Sequence, residues 1–406
     1  MNIELFIARR ISLKAERTFS KLIVRIAIVG IMLGLGVMML SLAIVKGFKS
    51  EIKEKIRGFN GDIQFIKYDL NSSYENSPFI LNHQNLKQAR QYPGVEHVVP
   101  FATKPGIIKA NGEVEGVILK GVDQHYDWSY FKNILVAGKT IDFKDSTQAA
   151  KEIIISETLA HRLNLKVGDD FLMYFIQEAL RRRKFEIVGI YKTGVDEVDK
   201  TYVIGDISLI RKLNNWSINE VGGYEVRIAD FNQLNHYTIE LSNFLPPQVK
   251  SVNVKENYPV IFDWLSLLDI NTQIILVLML IVAVINMISA LLIMILERTN
   301  MIGLLKALGQ SNWGIRKIFL YNAAYLVGLG MILGNLLGLG LGYFQQETHF
   351  FKLDEASYYM KFVPIQFSCL DVILVNVGTL LVCILILLLP SLLVSKITPI
   401  KAIAFK

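Results

Sequence analysis

Residues 297–309 read Glu-Arg-Thr-Asn-Met-Ile-Gly-Leu-Leu-Lys-Ala-Leu-Gly and lie between two long apolar runs. Met301, Ile302, Leu304, Leu305 and Leu308 fall at i, i+1, i+3, i+4 and i+7, which is one face of an α-helix. Glu297 at the start and Lys306 near the end suit the helix dipole. Gly309 follows the last apolar residue, where a glycine at C′ stops a helix. Such a helix is too short to cross a bilayer, so its apolar stripe must cover something else. Two covers are open: the lipid surface, or a groove on a partner protein that receives an amphipathic helix.

The flanking runs make this a membrane protein. The chain has 406 residues, 52% of them hydrophobic and 19% charged, with a mean hydropathy of +0.38. That is too apolar for an average soluble protein. The excess sits in four runs, which predict spans at 22–46, 267–296, 318–344 and 369–394. In the second, Ile274 to Leu296 carries only Asn286 and Ser289 as polar residues. Gly30 and Gly34 form a GxxxG pair in the first span. Gly330, Gly334, Gly338 and Gly342 recur every fourth residue in the third. Both sets predict close helix contact, within the chain or between copies.

Residues 1–21 are basic and amphipathic and read as an interfacial helix on the membrane lipid. Residues 47–266 form the one large polar region. Strand-like runs recur there at Asp62–Lys67, Gly106–Ala110, Gly116–Val122, Glu152–Ile155, Phe171–Phe175, Phe185–Tyr191, Thr201–Ile204 and Tyr224–Ile228. Helical patterns lie at Asn85–Gln91, Glu157–Leu163, Ile207–Leu213 and Phe231–Leu245. The expected fold class is therefore four transmembrane α-helices with a large α+β extracytoplasmic domain between the first and second. Residues 297–317 are expected to be a short amphipathic helix and loop, 345–368 an outer loop and 395–406 a tail.

Charge orients the chain. The first 25 residues carry six Lys/Arg against two acids, 297–317 four against one, the tail from 391 three against none, and 345–368 two against three. The positive-inside rule then puts both termini and residues 297–317 in the cytoplasm and 47–266 outside. The net charge of +7 is explained by this topology and not by nucleic acid. No G-x-x-x-x-G-K-[ST] occurs, so the chain is not expected to hydrolyse ATP itself. The six His are scattered, and no catalytic, metal or cofactor site is expected. Cys369 and Cys383, about 21 Å apart on one helix, cannot pair with each other.

Residues 297–309 resemble the "ERTREIGLLKALG" signature of FtsX/MacB-type ABC transporter permeases, also called type VII. Glu297, Arg298, Thr299, Ile302, Gly303, Leu304, Leu305, Lys306, Ala307, Leu308 and Gly309 match, while Asn300 and Met301 depart from the usual charged pair. The resemblance implies a cytoplasmic coupling helix that docks on a separate ATPase subunit. Arg9-Arg10, then Gly30-Ile31-Met32-Leu33-Gly34, then Gly47-Phe48 further resemble LolC/LolE-type lipoprotein-releasing permeases, with Lys46 where that family usually has Asn. The segment Leu159–Gly168 with Phe171–Tyr191 is similar to their periplasmic domain.

That likeness implies an inner-membrane permease working with a LolD-like ATPase, a second permease copy or paralogue, a lipoprotein substrate and a LolA-like periplasmic carrier. The hairpin that would grip the carrier falls at Met173–Lys184, with Gln177, Arg181, Arg182 and Arg183 as candidates. It is shorter here and lacks proline, and a solvated basic tip is the alternative reading. The rival function is an FtsX-like mechanotransmission protein that activates a periplasmic hydrolase without transport.

Overall fold

The computed structural model describes residues 18–69, 74–175 and 181–397, with Glu4, Phe6 and Ile7. The interfacial helix expected over 1–21, the hairpin tip at 176–180 and the tail from 398 lie largely outside these residues. The chain divides into two compact units. Residues 1–50, 264–352 and 362–406 form one, and 51–263 with 353–361 form the other. The outer unit thus takes in part of the segment expected to be a simple loop at 345–368.

Helix α1, Thr18–Asn60, is 43 residues long. At 1.5 Å per residue this is about 65 Å, twice a ~30 Å hydrocarbon core. The sequence reading ended it at 46, where the apolar run stops. The helix continues because 48–60 contains no proline, and because Ile52, Ile56 and Phe59, spaced i, i+4 and i+7, are buried. It ends at Gly61, whose φ of +70° breaks the run.

The outer unit is built, one-turn helices aside, from β1 (Ile63–Lys67), α2 (His83–Gln91), β2 (Val95–Ala110), β3 (Glu113–Val122), β4 (Leu135–Gly138), β5 (Glu152–Ser156), α3 (Glu157–Leu163), β6 (Asp170–Phe175), β7 (Arg181–Tyr191), β8 (Tyr202–Asp206), α4 (Ile207–Asn214), β9 (Gly223–Ile228), α5 (Leu234–Ser242) and β10 (Val249–Asn253). The strands make one ten-stranded sheet in the order β10-β1-β9-β2-β3-β8-β5-β7-β4, with β6 pairing β2 and β7. The β3–β8 and β5–β7 ladders are parallel and the others antiparallel.

Two strand–helix units repeat the same local chemistry. After β5 the Ser156 side chain accepts from Leu159 N, and α3 ends at Asn164 in the left-handed region. After β8 the Asp206 side chain accepts from Ser208 N, and α4 ends at Asn215, also left-handed. These caps and stops place both helices where their apolar periodicity predicts.

The sequence reading missed β4, β10 and the first half of β2. Prolines hid the last. Pro100 lies where β2 pairs with β9 alone, and Pro105 where it pairs with β3 alone. Each missing N–H can then fall on an unpaired side, which is how a long strand tolerates proline.

The membrane unit contains α6 (Pro259–Glu297) from Trp264 on, α7 (Thr299–Ala307), α8 (Asn312–Thr348), α9 (Cys369–Ser391) and α10 (Leu393–Lys396). Among the described residues, four helices are long and apolar enough to cross a membrane: Val24–Asn60 of α1, α6, α8, and Cys369–Ser395. Helix α1 packs closely on both α6 and α8. A Cβ at Gly30 would lie 2.5 Å from Asn286 Nδ2 of α6, and one at Gly34 would lie 3.8 Å from the Ala283 Cβ. The α8 glycines meet another stretch of α1. A Cβ at Gly330 would stand 2.8 Å from the Ile31 Cβ, one at Gly334 3.0 Å from the Leu35 Cβ, and one at Gly338 3.3 Å from the Gly36 Cα. The seam therefore packs within the chain. Gly342 continues it against Phe367.

Polar pairs lock the helices further. Asn335 of α8 and Asn376 of α9 exchange amide hydrogen bonds of 2.7 and 2.9 Å. Such interhelical bonds contribute about 0.6 kcal/mol on average in a membrane. Lys46, where the resemblance leads one to expect Asn, pairs with Asp371 at 2.5 Å. Lys49 pairs with Asp269 at 2.5 Å. Buried Gln345 binds the Phe351 and Val363 carbonyls and the Phe351 N–H, so it closes the neck of the loop between α8 and α9.

Candidate functional site

Residues 297–309 lie at the turn between α6 and α8. Helix α6 ends at Glu297 and α7 starts at Thr299, with Arg298 between them at φ −101° and ψ 21°. Ile302 N still bonds the Arg298 carbonyl at 3.0 Å, so the two helices meet at a kink without a loop. The far end is a Schellman stop. Gly309 has φ +86°, its N–H bonds Lys306 O at 3.0 Å, and Gln310 N bonds Leu305 O at 3.0 Å.

Only part of the face expected to enter a partner's groove is left free. Ile302 is fully buried among Ile295, Ile315, Phe319 and Val394, and Met301 and Leu305 pack on the same cluster. Gly303 is also buried. The reason is the kink: it folds the i, i+3 stripe back onto the protein's own helices. What stays exposed is Asn300, Leu304, Ala307 and Leu308, spaced i, i+4, i+7 and i+8, so the free side keeps two of the five apolar residues. Leu304 is 57% exposed, Leu308 76%, and Trp313 at the start of α8 52%.

Lys306 also differs from expectation. Its ammonium donates to the Val394 carbonyl at 2.8 Å, to Ile397 at 2.6 Å and to Ser395 at 3.3 Å. It thus satisfies the orphan carbonyls at the end of α10. Burial, with Arg316 nearby, pushes its ammonium below the usual lysine range. Arg316 donates to the Ser395 hydroxyl. Thr299 bonds back onto α6, its hydroxyl donating to Leu296 O at 2.6 Å. Glu297 Oε2, Arg298 Nε and Arg316 Nε are buried without a hydrogen-bond partner among the described residues.

The basic hairpin is formed by β6 and β7, in register from Asp170↔Glu186 to Phe175↔Arg181. Gln177 lies outside the described residues. Arg181 is half-buried and donates to Leu213 O at 2.9 Å, so it braces the hairpin against α4. Arg182 and Arg183 are exposed.

Sequence reasoning missed the grip of the outer unit on the end of α1. Arg57 forms a two-pronged pair with fully buried Asp62, which also accepts from the Ile228 N–H at 2.8 Å. Arg227 reaches Glu54 at 2.5 Å. Lys120 on β3 is buried, pairs with Glu225 at 2.7 Å and donates to the carbonyl of Phe59 in the last turn of α1. Burial pushes Lys120 below its usual range, with Glu225 opposing. The available signal was a lysine in the middle of an apolar strand, Val117-Ile118-Leu119-Lys120.

The family model for the FtsX-like permease C-terminal domain matches residues 273–399, and that for the MacB-like periplasmic core domain matches 26–235. Curated relatives cover the whole chain. The lipoprotein-releasing system transmembrane protein LolE of Haemophilus influenzae is 22% identical, with 100% of both chains covered. The corresponding LolC of Neisseria meningitidis serogroup B is 25% identical over 98% of each. The periplasmic region of MacB from Actinobacillus actinomycetemcomitans aligns with 52% of this chain and 97% of its own, at 15% identity and a TM-score of 0.35. The MacB-like match takes in α1 from residue 26 on and most of the mixed sheet domain, the FtsX-like match α6 from residue 273 on with α7, α8 and α9, and the chain belongs to the FtsX/MacB-like permeases of the LolC/LolE type.

Proposed function

We propose that the chain is the transmembrane permease subunit of an ABC transporter that releases lipoproteins from the inner membrane. The observation that carries the reading is the end-to-end likeness to Lol transmembrane proteins, joined to a turn from α7 into α8 that leaves Leu304, Leu308 and Trp313 exposed. In this reading a separate LolD-like ATPase docks on that face. Arg298 and Glu297, with unmet buried hydrogen-bonding atoms, lie at its margin. A second permease copy or paralogue completes the complex. Exposed Arg182 and Arg183 are what remains of the expected carrier site, and they would meet an acidic surface of a LolA-like carrier. The spans themselves are apolar with glycine seams, which suits a lipid-anchored substrate better than an ion path.

Purification of the complex from native membrane should bring down triacylated lipoprotein with the ATPase. A peptidoglycan hydrolase in place of the lipoprotein would support the FtsX-type reading and sink this one.

The orientation follows from the basic flanks: both termini and α7 inside, the sheet domain in the periplasm. Single cysteines at Asn111 and Asn312, in a background without Cys369 and Cys383, test it with an impermeant thiol reagent. In intact spheroplasts only the first should react. Equal labelling of both would reject the topology.

A further inference from the structure

Residues 353–361 lie between α8 and α9, yet they fold as part of the outer unit, while the residues on either side belong to the membrane unit. We infer that this segment is a strap through which the third and fourth spans act on the outer domain, with Lys192 and Lys55 as the positioning residues that hold it. The strap is closed on itself by the Leu353 N–H on Lys361 O at 2.9 Å. Asp354 caps its single turn by accepting from Ser357 N at 3.1 Å. Tyr359 then takes the left-handed conformation, with φ +60°.

Three contacts dock it. Glu355 lies 2.9 Å from the Lys192 ammonium, which also meets Glu157 at 3.0 Å. The hydrogen bond it donates to Glu355 raises that ammonium above its usual range. Lys55, near the end of α1, donates to the Tyr359 carbonyl at 2.5 Å. The Tyr359 ring packs on the cluster of Phe59, Tyr191, Val195 and Val198, and Met360 is buried. Gly194, at φ +74°, leaves room for this: a Cβ there would stand 3.2 Å from Tyr359 O and 2.9 Å from Lys55 Nζ.

The consequence is mechanical. Helix α7 is joined through residues 308–311 to α8, and α8 runs to Thr348, a few residues before the strap. A push on α7 can therefore reach the domain core through α8 and the strap, beside the end of α1. A loop that only closed the chain would need neither the shared lysine nor the buried methionine.

The inference rests on the permease reading for its transport readout alone. In the complete complex with its ATPase in lipid nanodiscs, Glu355→Lys sets two cations against each other and should free the strap. ATP hydrolysis should stay within about twofold of wild type, while lipoprotein release falls about tenfold or more, the equivalent of 1.4 kcal/mol of lost coupling. Lys192→Cys with Glu355→Cys, lacking the native cysteines, should show the same defect and recover release when bridged by a short bismaleimide.

Hydrogen exchange supplies a readout independent of substrate. ATP should change exchange at 193–199 in wild type and leave it unchanged in Glu355→Lys. Release and hydrolysis falling together would show a merely structural role. Equal ATP-dependent exchange in both proteins, or normal release with a freed strap, would likewise overturn the inference. A wild-type complex that shows the exchange response but releases no lipoprotein would overturn the transport reading and leave the strap supported.

Discussion

Leu308→Asp should insert and fold as wild type does, yet lose its ATPase about a thousandfold in affinity. Leu308 is 76% exposed, so a carboxylate there stays hydrated in the free protein and disturbs no packing. In the docked complex the same carboxylate would be drawn into an apolar contact, which costs several kcal/mol when no partner is supplied. A loss of about 4 kcal/mol corresponds to a factor near a thousand. Leu304→Asp should act in the same direction. Leu305→Asp is the wrong probe, because Leu305 packs on the buried cluster around Ile302 and its charge would strain the helix junction itself. The measurement is pull-down of the ATPase with the purified variant, together with stimulation of hydrolysis. If Leu308→Asp retains both, α7 does not dock there. If only its attachment to membrane lipid weakens, the helix lies on the bilayer surface.

Gly334→Leu should destabilise the membrane unit by about 3 kcal/mol, at the upper end for overpacking a closely fitted interior. A Cβ at this position already meets the Leu35 Cβ and the Met32 carbonyl at 3.0 Å, and backbone cannot swing aside as a side chain can. The further carbons of leucine have nowhere to go unless α1 and α8 separate. Gly340→Leu on the same helix is the control. Nothing lies within 4 Å of its Cβ, and glycine is a poor helix former, so this change should be neutral or stabilising by up to about 1 kcal/mol. Thermal unfolding in detergent separates the two. Equal midpoints for both variants would show that the α1–α8 contact is loose and that the glycines have no packing role.

The sequence was legible wherever a property is local. The four apolar runs, the amphipathic period of 297–309 and the stop at Gly309 all follow from single-residue chemistry and spacing. Most strands and all four principal helices of the outer domain were readable for the same reason: their caps and αL stops, such as Ser156 with Asn164, lie within a few residues of the elements they bound. The glycine seam of α8 was legible as a tight contact, but not its partner, because spacing along one helix says nothing of which helix faces it.

Tertiary structure decided which face of α7 is free. Ile302, Leu304, Leu305 and Leu308 are equivalent as apolar residues at helical spacing. Only the kink at Arg298 and the arrival of Phe319 and Val394 bury the first and leave Leu304 and Leu308 in solvent. It also turned Lys306 from a surface cation into a cap for carbonyls some 90 residues away. The strap at 353–361 was hidden for the same reason. Its composition is that of an ordinary polar loop, and what makes it part of the outer domain is Lys192, Lys55 and the Phe59 cluster, all at least 150 residues away in sequence. Periodicity reports what a segment can bury; which surface buries it is set by contacts between residues far apart in the chain.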